Sequence, residues 1–357
     1  MQLNVQPPIL PMLSKRVAAL PKLEGVTFEP KWDGFRVLVF RDGKELLLQS
    51  RDEKPLNRYF PDLLAPLAAQ LPKKCVLDGE IVVLRGDALD FDALQQRIHP
   101  AASRIERLAR ETPAAIVFFD LLCEGVKDLR EAPFAQRRAR LERVLAKAKT
   151  PLFLTPSTHD HERAKDWFLR FEGAGLDGVM IKADDGVYEA NKRVMLKVKH
   201  ERECDCVVAG FRWHKKGDRD AVGSLLLGLY DDEGKLQHVG VCASFSLEKR
   251  RELVKTLAPY RKHALVNHPW SHWADAGEND GRMPGGKSRW SQGKDLSWEP
   301  LRPELVVEVS YDHMQSGRFR HTAQFRRFRT DKAPEKCGFD QLEVVPAKEV
   351  AEIFGAE

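Results

Sequence analysis

Long apolar runs are missing from this sequence. The longest, such as Ala115–Asp120 and Ser224–Tyr230, are far shorter than the ~20 residues that a membrane-spanning helix needs. The first residues, MQLNVQPPILPML, lack the basic start and the small-residue cleavage site of a secretory signal. We therefore expect no membrane association and a cytoplasmic location.

Paired cysteines are also missing. The six cysteines are scattered, with no CxxC pair and no zinc-binding spacing. Only Cys204 and Cys206 lie close together, and their alternation with Asp205 is typical of a strand. The cysteines are therefore interpreted as reduced structural thiols rather than as disulfides or metal ligands.

A strong charge of one sign is absent as well. The net charge is +5, with 43% hydrophobic and 31% charged residues, which is the balance of an ordinary globular protein. The positions of the charged residues are more informative than the net charge. Arg318–Lys332 holds six basic residues with three phenylalanines between them, a composition that suits a nucleic-acid backbone.

The pattern of apolar residues predicts an α+β domain followed by a small β-barrel. The length of 357 residues favours two domains. Before Lys199, β-rich runs mix with three helical stretches; after it, strand-like runs dominate, with one helix and a long loop over Trp270–Trp298. The boundary is placed near His200, which gives domains of residues 1–200 and 201–357. The predicted helices are Pro61–Gln70, Pro133–Lys147, Glu162–Phe171 and Leu247–Leu257.

The stretch EPKWDGFR at residues 29–36 places Lys31 in a loop just before a strand. A lysine with an ordinary pKa of ~10.4 attacks phosphorus only if burial or neighbouring positive charge lowers that pKa. Surrounding cations, including a metal, would supply this effect at Lys31. The alternative reading is a polar turn with solvated charges.

Two further stretches place polar or aromatic groups on apolar strands. LDGEIV puts Glu80 in such a strand, where a carboxylate needs a metal, a hydroxyl or an ion-pair partner. In FFD, Phe119 at the end of a β-rich run is suited to stack on a purine, with core packing as the alternative.

Lysines follow two later strands. DGVMIK starts with Asp177 and ends with Lys182, and LKVK places Lys197 and Lys199 on one face of a strand. Two lysines on one face can hold a phosphate, although a solvated face is the simpler reading.

Seven stretches resemble, in order, the motifs of the covalent nucleotidyltransferase superfamily of DNA ligases, RNA ligases and capping enzymes. They are KWDGFR, Ser50-Arg51, LDGEIV, FFD, DGVMIK, LKVK and Arg329-Thr330-Asp331-Lys332. The short layout and the text GSLLLGLY at 223–230 are most similar to bacterial ATP-dependent DNA ligases of the ligase C type. The resemblance implies an adenylation domain followed by an OB-fold domain, and two domains that move.

The resemblance also implies a role for each matching residue. Lys31 forms a phosphoramidate with AMP. The remaining residues bind ATP, its pyrophosphate or Mg²⁺ (or Mn²⁺), and they are Glu29 at the adenine amino group, Phe119 stacked on the ring, Arg36 and Arg51 at ribose and phosphate, Glu80 at a ribose hydroxyl or the metal, Asp177 at the metal, Lys197 and Lys199 at the α-phosphate, and Arg329 and Lys332 at the leaving pyrophosphate.

The sequence departs from the family pattern at Asp177, where the family usually has glutamate. Glu172 is a substitute candidate for the metal, although a solvated position at a helix end is the simpler reading for it. In the arginine-rich run, the role of Arg329 could instead fall to Arg326 or Arg327. On the alternative reading these basic residues, Arg329 and Lys332 included, form a general DNA-backbone patch.

The function implied is sealing of 5′-phosphate/3′-hydroxyl nicks in duplex DNA by a monomeric repair enzyme. The His214-Lys215-Lys216 turn is a further candidate DNA contact, or else a solvated loop. A Ku-like end-binding protein is a candidate partner by analogy. The alternatives are an RNA ligase, a GTP-using capping-type nucleotidyltransferase, or a binding protein with a degenerate first domain.

Overall fold

The structure is a computed structural model that describes residues 1–86, 88–170, 175–215, 219–271, 297–312, 314, 315 and 317–342. The chain divides into two compact units, unit 1 from Met1 to Lys199 and unit 2 beginning at His200. Each unit has its own buried apolar core. None of the helices in these ranges combines the length and the apolar character that crossing a membrane requires.

Unit 1 contains two β-sheets. Its strands are β1 (Leu13–Arg16), β2 (Val26–Pro30), β3 (Phe35–Asp42), β4 (Glu45–Ser50), β5 (Lys74–Arg85), β6 (Ala88–Leu89), β7 (Ala114–Glu124), β8 (Lys127–Asp128), β9 (Leu152–Leu154), β10 (Val179–Ala183) and β11 (Arg193–Val198). The smaller sheet has the order β1-β11-β10-β2. The larger has the order β4-β3-β5-β7-β8, with β6 beside β5 and β9 beside β7.

The described part of unit 1 has five α-helices where the sequence predicts three. They are α1 (Pro61–Gln70), α2 (Phe91–Gln96), α3 (Ala102–Glu111), α4 (Phe134–Leu145) and α5 (His161–Arg170). Helix α1 has the predicted bounds, and α4 and α5 correspond to the other two predictions; Phe171, the predicted end of α5, lies outside the described residues. Helices α2 and α3 were not predicted: α2, with six residues, is shorter than the ~11 residues over which helical periodicity shows, whereas Ile105 and Leu108 of α3 do have helical spacing and were overlooked.

Alternation along β5 separates two apolar layers. Cys75, Leu77, Ile81 and Val83 point to one side and join the largest cluster of unit 1, to which α1 and α4 contribute leucines. Residues at the intervening positions point to the opposite side because successive side chains of a strand face opposite ways. Both faces of this strand are therefore covered between Cys75 and Val83, where Glu80 alone is half-buried.

A buried ion pair ties α4 to the larger sheet. Arg137 is fully buried and donates to both oxygens of Asp120, over 2.8 and 2.9 Å. Its remaining donors reach the carbonyl oxygens of Ala132 and Gly186. Because the guanidinium and the carboxylate satisfy each other, neither charge is left alone in the core.

Arg137→Ala is expected to lower the free energy of unfolding by about 3–5 kcal/mol, since it leaves the Asp120 carboxylate buried without its counter-ion. Chemical denaturation monitored by circular dichroism measures this. The matched control is Arg140→Ala on the same helix, where the ion pair with Glu124 is half-exposed and its loss costs below about 1 kcal/mol. Equal losses in the two variants would contradict the prediction.

Unit 2 is a closed five-stranded barrel. Its elements are β12 (Arg202–Trp213), β13 (Val222–Tyr230), β14 (Leu236–Cys242), α6 (Leu247–Arg261), β15 (Glu299–Tyr311), β16 (Met314–Gln315), β17 (Arg318–Phe319) and β18 (Gln324–Phe328). The strand order is β14-β13-β12-β15-β18, and a bridge between Cys242 and Ala323 joins the two edges. A five-stranded barrel with a helix between its third and fourth strands has the topology of an OB-fold. The prediction of an α+β domain followed by an OB-fold is confirmed.

Two sequence predictions in unit 2 meet different outcomes. Helix α6 runs four residues past the predicted Leu257, to Arg261. Of the long loop predicted over Trp270–Trp298, residues 272–296 lie outside the described part. The six cysteines are all among the described residues and are buried free thiols, with Cys204 and Cys206 in β12.

Candidate active site

A polar pocket lies between the two sheets of unit 1. On the side of β5 away from the main cluster, Val76 and Val82 belong to two different apolar clusters, and Asp78 and Glu80 lie between them. The pocket is lined from the smaller sheet and from the larger one, and its lining includes Glu29, Lys31, Arg36, Arg51, Glu80, Phe119, Lys182, Arg193 and Lys197. Polar groups in such a gap need partners or a ligand, because burial of an unpaired polar group is costly.

Lys31 is held at the wall of this pocket by two strands. Its backbone N–H donates to the carbonyl of Gly178, over 2.8 Å, and its carbonyl accepts from the N–H of Asp177, over 2.9 Å. The side-chain Nζ lies 2.6 Å from Oδ2 of Asp177, and Nζ of Lys199 lies 2.7 Å from the same oxygen. The structure thus brings together two lysines and a carboxylate that are far apart along the chain.

The charge state of Lys31 differs from the sequence-based expectation. Burial alone lowers its pKa, but the carboxylates of Asp177, Glu80 and Asp33 outweigh burial and raise the pKa above its ordinary value. Carboxylates are the nearest charges to Lys31 among the described residues, so the lowering by surrounding cations, including a metal, stays a prediction. Lys31 is therefore an ammonium here.

Asp177 shows the reverse balance. Burial alone would raise its pKa, but Lys31 and Lys199 together lower it. Gly178, which follows it, has φ of +133°, and a Cβ there would lie 2.0 Å from the carbonyl oxygen of Val198. Only glycine suits this position, and it allows Asp177 to enter the strand beside both lysines.

Glu80 is a half-buried carboxylate that has no hydrogen-bond or ion-pair partner among the described residues. Burial raises its pKa to about 7, against the opposing effect of Arg36 and Lys31. Gly34 permits the close approach of β3, since a Cβ there would lie 2.9 Å from Cγ of Glu80. A buried carboxylate of this kind suits a cation or a hydroxyl as its ligand.

Glu80 and Asp177 are the two carboxylates predicted to hold a divalent cation, and both raise the pKa of Lys31. The described residues contain no group of three or more His, Cys, Asp or Glu side chains that could hold a metal. Mg²⁺ usually takes only one or two carboxylates and completes its shell with phosphate oxygens and waters. Two carboxylates are therefore enough for a Mg²⁺ ion that binds together with a phosphorylated ligand.

Arg36 is fixed by a carboxylate that sequence analysis did not assign. It donates to both oxygens of Asp78, over 2.5 and 2.6 Å, and Asp78 also accepts from the hydroxyl of Tyr188, over 2.6 Å. The guanidinium carbon lies 4.6 Å from the centroid of the Phe119 ring. The Asp-Gly pair within LDGE, which repeats that of KWDGFR, is the signal that could have identified Asp78.

A β-bulge explains why Phe119 faces the pocket. In the pairing of β5 with β7, Asp78 is opposite Asp120 and Gly79 is opposite Phe118, so Phe119 is the extra residue. Bulges re-aim side chains, and here Phe118 enters the main core whereas Phe119 lines the pocket. The strand runs on to Glu124, so the prediction that Phe119 lies at a strand end is wrong.

Glu29 is buried on β2 and already has two cationic partners. Its carboxylate lies 2.7 Å from Nζ of Lys182 and 3.3 Å from Arg138. Lys182 also donates to the carbonyl of Phe119, over 3.0 Å. Lys182 was visible as the end of DGVMIK, whereas nothing in the sequence of helix α4 distinguished Arg138 from its neighbouring arginines.

Three more cations lie around the pocket. Lys197, on β11, lines it, and burial together with Lys31 and Lys199 lowers its pKa to about 8. Arg51 follows β4 and is exposed, and Arg193 at the start of β11 was not among the predicted residues. The pocket therefore combines several cations with few carboxylates, as an anionic ligand requires.

Arg329 and Lys332 belong to unit 2, where both bind Asp205. Arg329 lies 3.0 Å and Lys332 2.9 Å from its Oδ2 atom. Arg329 also pairs with Asp331, over 2.8 Å. Of the alternatives for the arginine role, Arg327 pairs with Glu308 and Arg326 with Glu201 and Glu203.

The phenylalanines of the basic run serve the barrel. Phe319 is buried in its core, and Phe325 and Phe328 pack against that core. Along β18 the arginines Arg326 and Arg327 are exposed. Phe325 and Phe328 face the core although they are three positions apart, because Arg326 is the extra residue of a β-bulge in the pairing of β18 with β15.

Two candidates extend beyond the described residues. Glu172 lies outside them. In the His214-Lys215-Lys216 turn, His214 donates its backbone N–H to Ala221, over 2.8 Å, and Lys216 lies outside the described part.

Two family models match this chain. Residues 11–199 match the family described as ATP dependent DNA ligase domain, and residues 218–332 match the ATP dependent DNA ligase C terminal region. The chain is 54% identical over 351 residues to DNA ligase C2 of Mycolicibacterium smegmatis, which covers 97% of each protein. It is 51% identical over 349 residues to DNA ligase C of Mycobacterium tuberculosis, with 96% of each covered.

A solved structure from a study of Lig E DNA ligases covers 90% of this chain and 100% of that one, with a TM-score of 0.56 at 16% identity. At that identity the likeness concerns the fold alone. The family matches and the two relatives confirm the prediction, made from the sequence motifs, of an ATP-dependent DNA ligase of the ligase C type. The chain belongs to the ATP-dependent DNA ligase family.

Proposed function

We propose that the polar pocket binds ATP and that Lys31 attacks its α-phosphorus. Nζ loses a proton to solvent, a bond forms between Nζ and phosphorus, the bond to the bridging oxygen breaks, and pyrophosphate leaves. AMP then passes from Lys31 to the 5′-phosphate of a nick in duplex DNA, and the 3′-hydroxyl attacks that phosphate with release of AMP. The observation that supports this best is the place of Lys31, at the pocket wall and 2.6 Å from Asp177.

The nucleoside is held by groups of both sheets. Glu29 accepts a hydrogen bond from the adenine amino group. Its ion pairs with Lys182 and Arg138 fix the carboxylate in the position where it does so. Phe119 stacks on the ring, and Arg36 and Arg51 contact ribose and phosphate. Glu80 accepts from a ribose hydroxyl or binds the metal. These roles are supported by the lining of the pocket.

The phosphates are held by cations. Lys197 and Lys199 contact the α-phosphate, and Arg329 and Lys332 contact the leaving pyrophosphate. Such positioning and charge neutralisation carry most of the catalysis of phosphoryl transfer. Glu80 and Asp177 would hold Mg²⁺ (or Mn²⁺), whose positive charge beside Lys31 would lower the pKa of that lysine.

Phe119→Leu is expected to raise KM for ATP about 5- to 100-fold with a smaller change in kcat, because base stacking on an aromatic ring contributes about 1–3 kcal/mol. Phe119→Tyr keeps the ring and is the matched control. Initial rates of enzyme adenylation at varied ATP concentration measure both constants. A Leu variant with the KM of the Tyr variant would contradict the stacking role.

The DNA substrate is proposed to bind the exposed basic groups of Arg318–Lys332 and the turn at His214. Phosphate contacts position an enzyme on DNA without reading its sequence.

We place the activity in DNA repair or recombination, carried out by a monomer with an adenylation domain of residues 1–200 and an OB-fold domain of residues 201–357. A Ku-like protein recruits it to broken ends; unchanged end sealing when such a protein is added would contradict that step.

Labelling tests the proposed reaction. The protein is incubated with α-labelled ATP or GTP and Mg²⁺, separated under denaturing conditions, and then chased with nicked DNA or nicked RNA. We expect label from ATP alone, and its removal by nicked DNA with a sealed product. Label from GTP would indicate a capping-type enzyme, removal by nicked RNA alone an RNA ligase, and no label a binding protein.

A further inference from the structure

Arg329 and Lys332 share a single carboxylate oxygen. Nη1 of Arg329 lies 3.0 Å and Nζ of Lys332 lies 2.9 Å from Oδ2 of Asp205. The two cationic side chains are about one-fifth exposed, and that of Asp205 is 11% exposed. Two cations therefore converge on one nearly buried oxygen and keep part of their surface open to solvent.

The position of Asp205 is itself fixed. It lies on β12 opposite Glu308 of β15. Its backbone N–H donates to Oε1 of Gln341, over 3.1 Å, and its carbonyl accepts from Nε2 of the same residue, over 3.2 Å. Lys332 donates to Oε1 of Gln341 as well, over 2.9 Å. Asp205, Lys332 and Gln341 thus form a closed network on the barrel.

Two cations at this separation repel each other unless an anion lies between them. The Asp205 carboxylate offsets this repulsion, and its oxygen holds the guanidinium and the ammonium side by side. At this distance from each other, the guanidinium and the ammonium can both bind one oxygen of an anionic ligand, or two oxygens of the same phosphate group. Arg329 also pairs with Asp331, over 2.8 Å, and with Glu308, over 3.4 Å, but among the described residues Asp205 is the carboxylate that pairs with both Arg329 and Lys332. Without Asp205 the two cations would no longer be held at one point, and their relative position would have to be fixed again when a ligand binds.

We propose that Asp205 is a positioning residue for adenylation, which holds Arg329 and Lys332 together so that both engage the leaving pyrophosphate. The inference rests on the proposed function, in which these two residues contact pyrophosphate. Asp205 itself touches neither ATP nor DNA. Because pyrophosphate leaves only in the first step, the effect of Asp205 is confined to that step.

The test compares two steps in Asp205→Asn, which keeps the shape of the side chain and removes its charge. Single-turnover adenylation with ATP and Mg²⁺ is expected to slow about 10- to 100-fold, the size of effect that a small misplacement of a positioning group produces. Sealing of a nick that already carries a 5′-adenylate, which skips the first step, is expected to stay unchanged. Asp205→Glu restores the charge and recovers part of the adenylation rate, and Asp232→Asn, at an exposed position of the same unit, changes neither step.

Arg329→Ala, assayed in the same way, separates the inference from the proposed function. If it leaves adenylation unchanged, the pyrophosphate role is wrong and the inference falls with it. If Arg329→Ala slows adenylation, the inference alone is overturned when Asp205→Asn adenylates at the normal rate or faster, or when it slows both steps equally as a general loss of barrel stability would.

Discussion

Replacement of Lys31 by alanine is expected to abolish the transfer of label from α-labelled ATP to the protein. No other nucleophile can form the phosphoramidate, so the loss should exceed about 10⁴-fold, as for removal of a nucleophile in covalent catalysis. Sealing of a nick that already carries a 5′-adenylate is expected to survive, since Lys31 acts before that step. Denaturing electrophoresis measures the first result and a gel-based sealing assay the second.

The fold is expected to tolerate this change. Lys31 has a partly exposed side chain, and Asp177 keeps its second counter-ion, Lys199, when the first is removed. Lys44→Ala, on the exposed turn between β3 and β4, is the matched control and should label like the unmodified protein. Label on the Lys31→Ala protein would show that another residue is the nucleophile.

Asp177→Asn is expected to slow adenylation about 10²- to 10³-fold, the range for loss of one preorganised electrostatic group at a reaction centre. The amide removes the anion that Lys31 and Lys199 share, and it is a poor ligand for Mg²⁺. The two lysines then repel each other at the point where the α-phosphate must bind. Single-turnover adenylation over a range of Mg²⁺ concentrations measures the rate and the metal requirement.

Asp177→Glu decides whether the shorter carboxylate matters. It introduces the residue that the family usually carries, and we expect adenylation within about tenfold of the unmodified protein because the charge is kept. Asp185→Asn, exposed in the turn after β10, is the control and should have no effect. A normal rate in Asp177→Asn would remove this residue from the metal site and from the reaction.

Much of the fold was predictable because local pattern and tertiary contact agree. Helix α1 begins at a proline and has the bounds that periodicity predicts. Helix α2 was missed for a physical reason, since six residues are too few for a helical repeat to show, whereas the spacing of Ile105 and Leu108 in α3 was a signal that was overlooked. The barrel was predictable as a set of strands, but its closure depends on the bridge from Cys242 to Ala323, which no local pattern encodes.

The sequence did not show which side chains pair with one another at the site. Arg36 was assigned to the nucleotide without Asp78, and Arg329 without Asp205, because a carboxylate on a distant strand leaves no signal in the sequence around its partner. The bulge that turns Phe119 into the pocket depends in the same way on the register between β5 and β7. These features follow from strand pairing, which is set by the packing of whole sheets.

By itself, the sequence determined the fold class, the order of the functional residues and the identity of the lysine proposed as nucleophile, because these depend on residue type and local spacing. Only the tertiary structure decided the charge state of that lysine. Asp177 meets Lys31 through hydrogen bonds between separate strands, and it raises a pKa that the sequence led us to expect lowered. Electrostatic interaction depends on distance in space, and that distance is set by the fold.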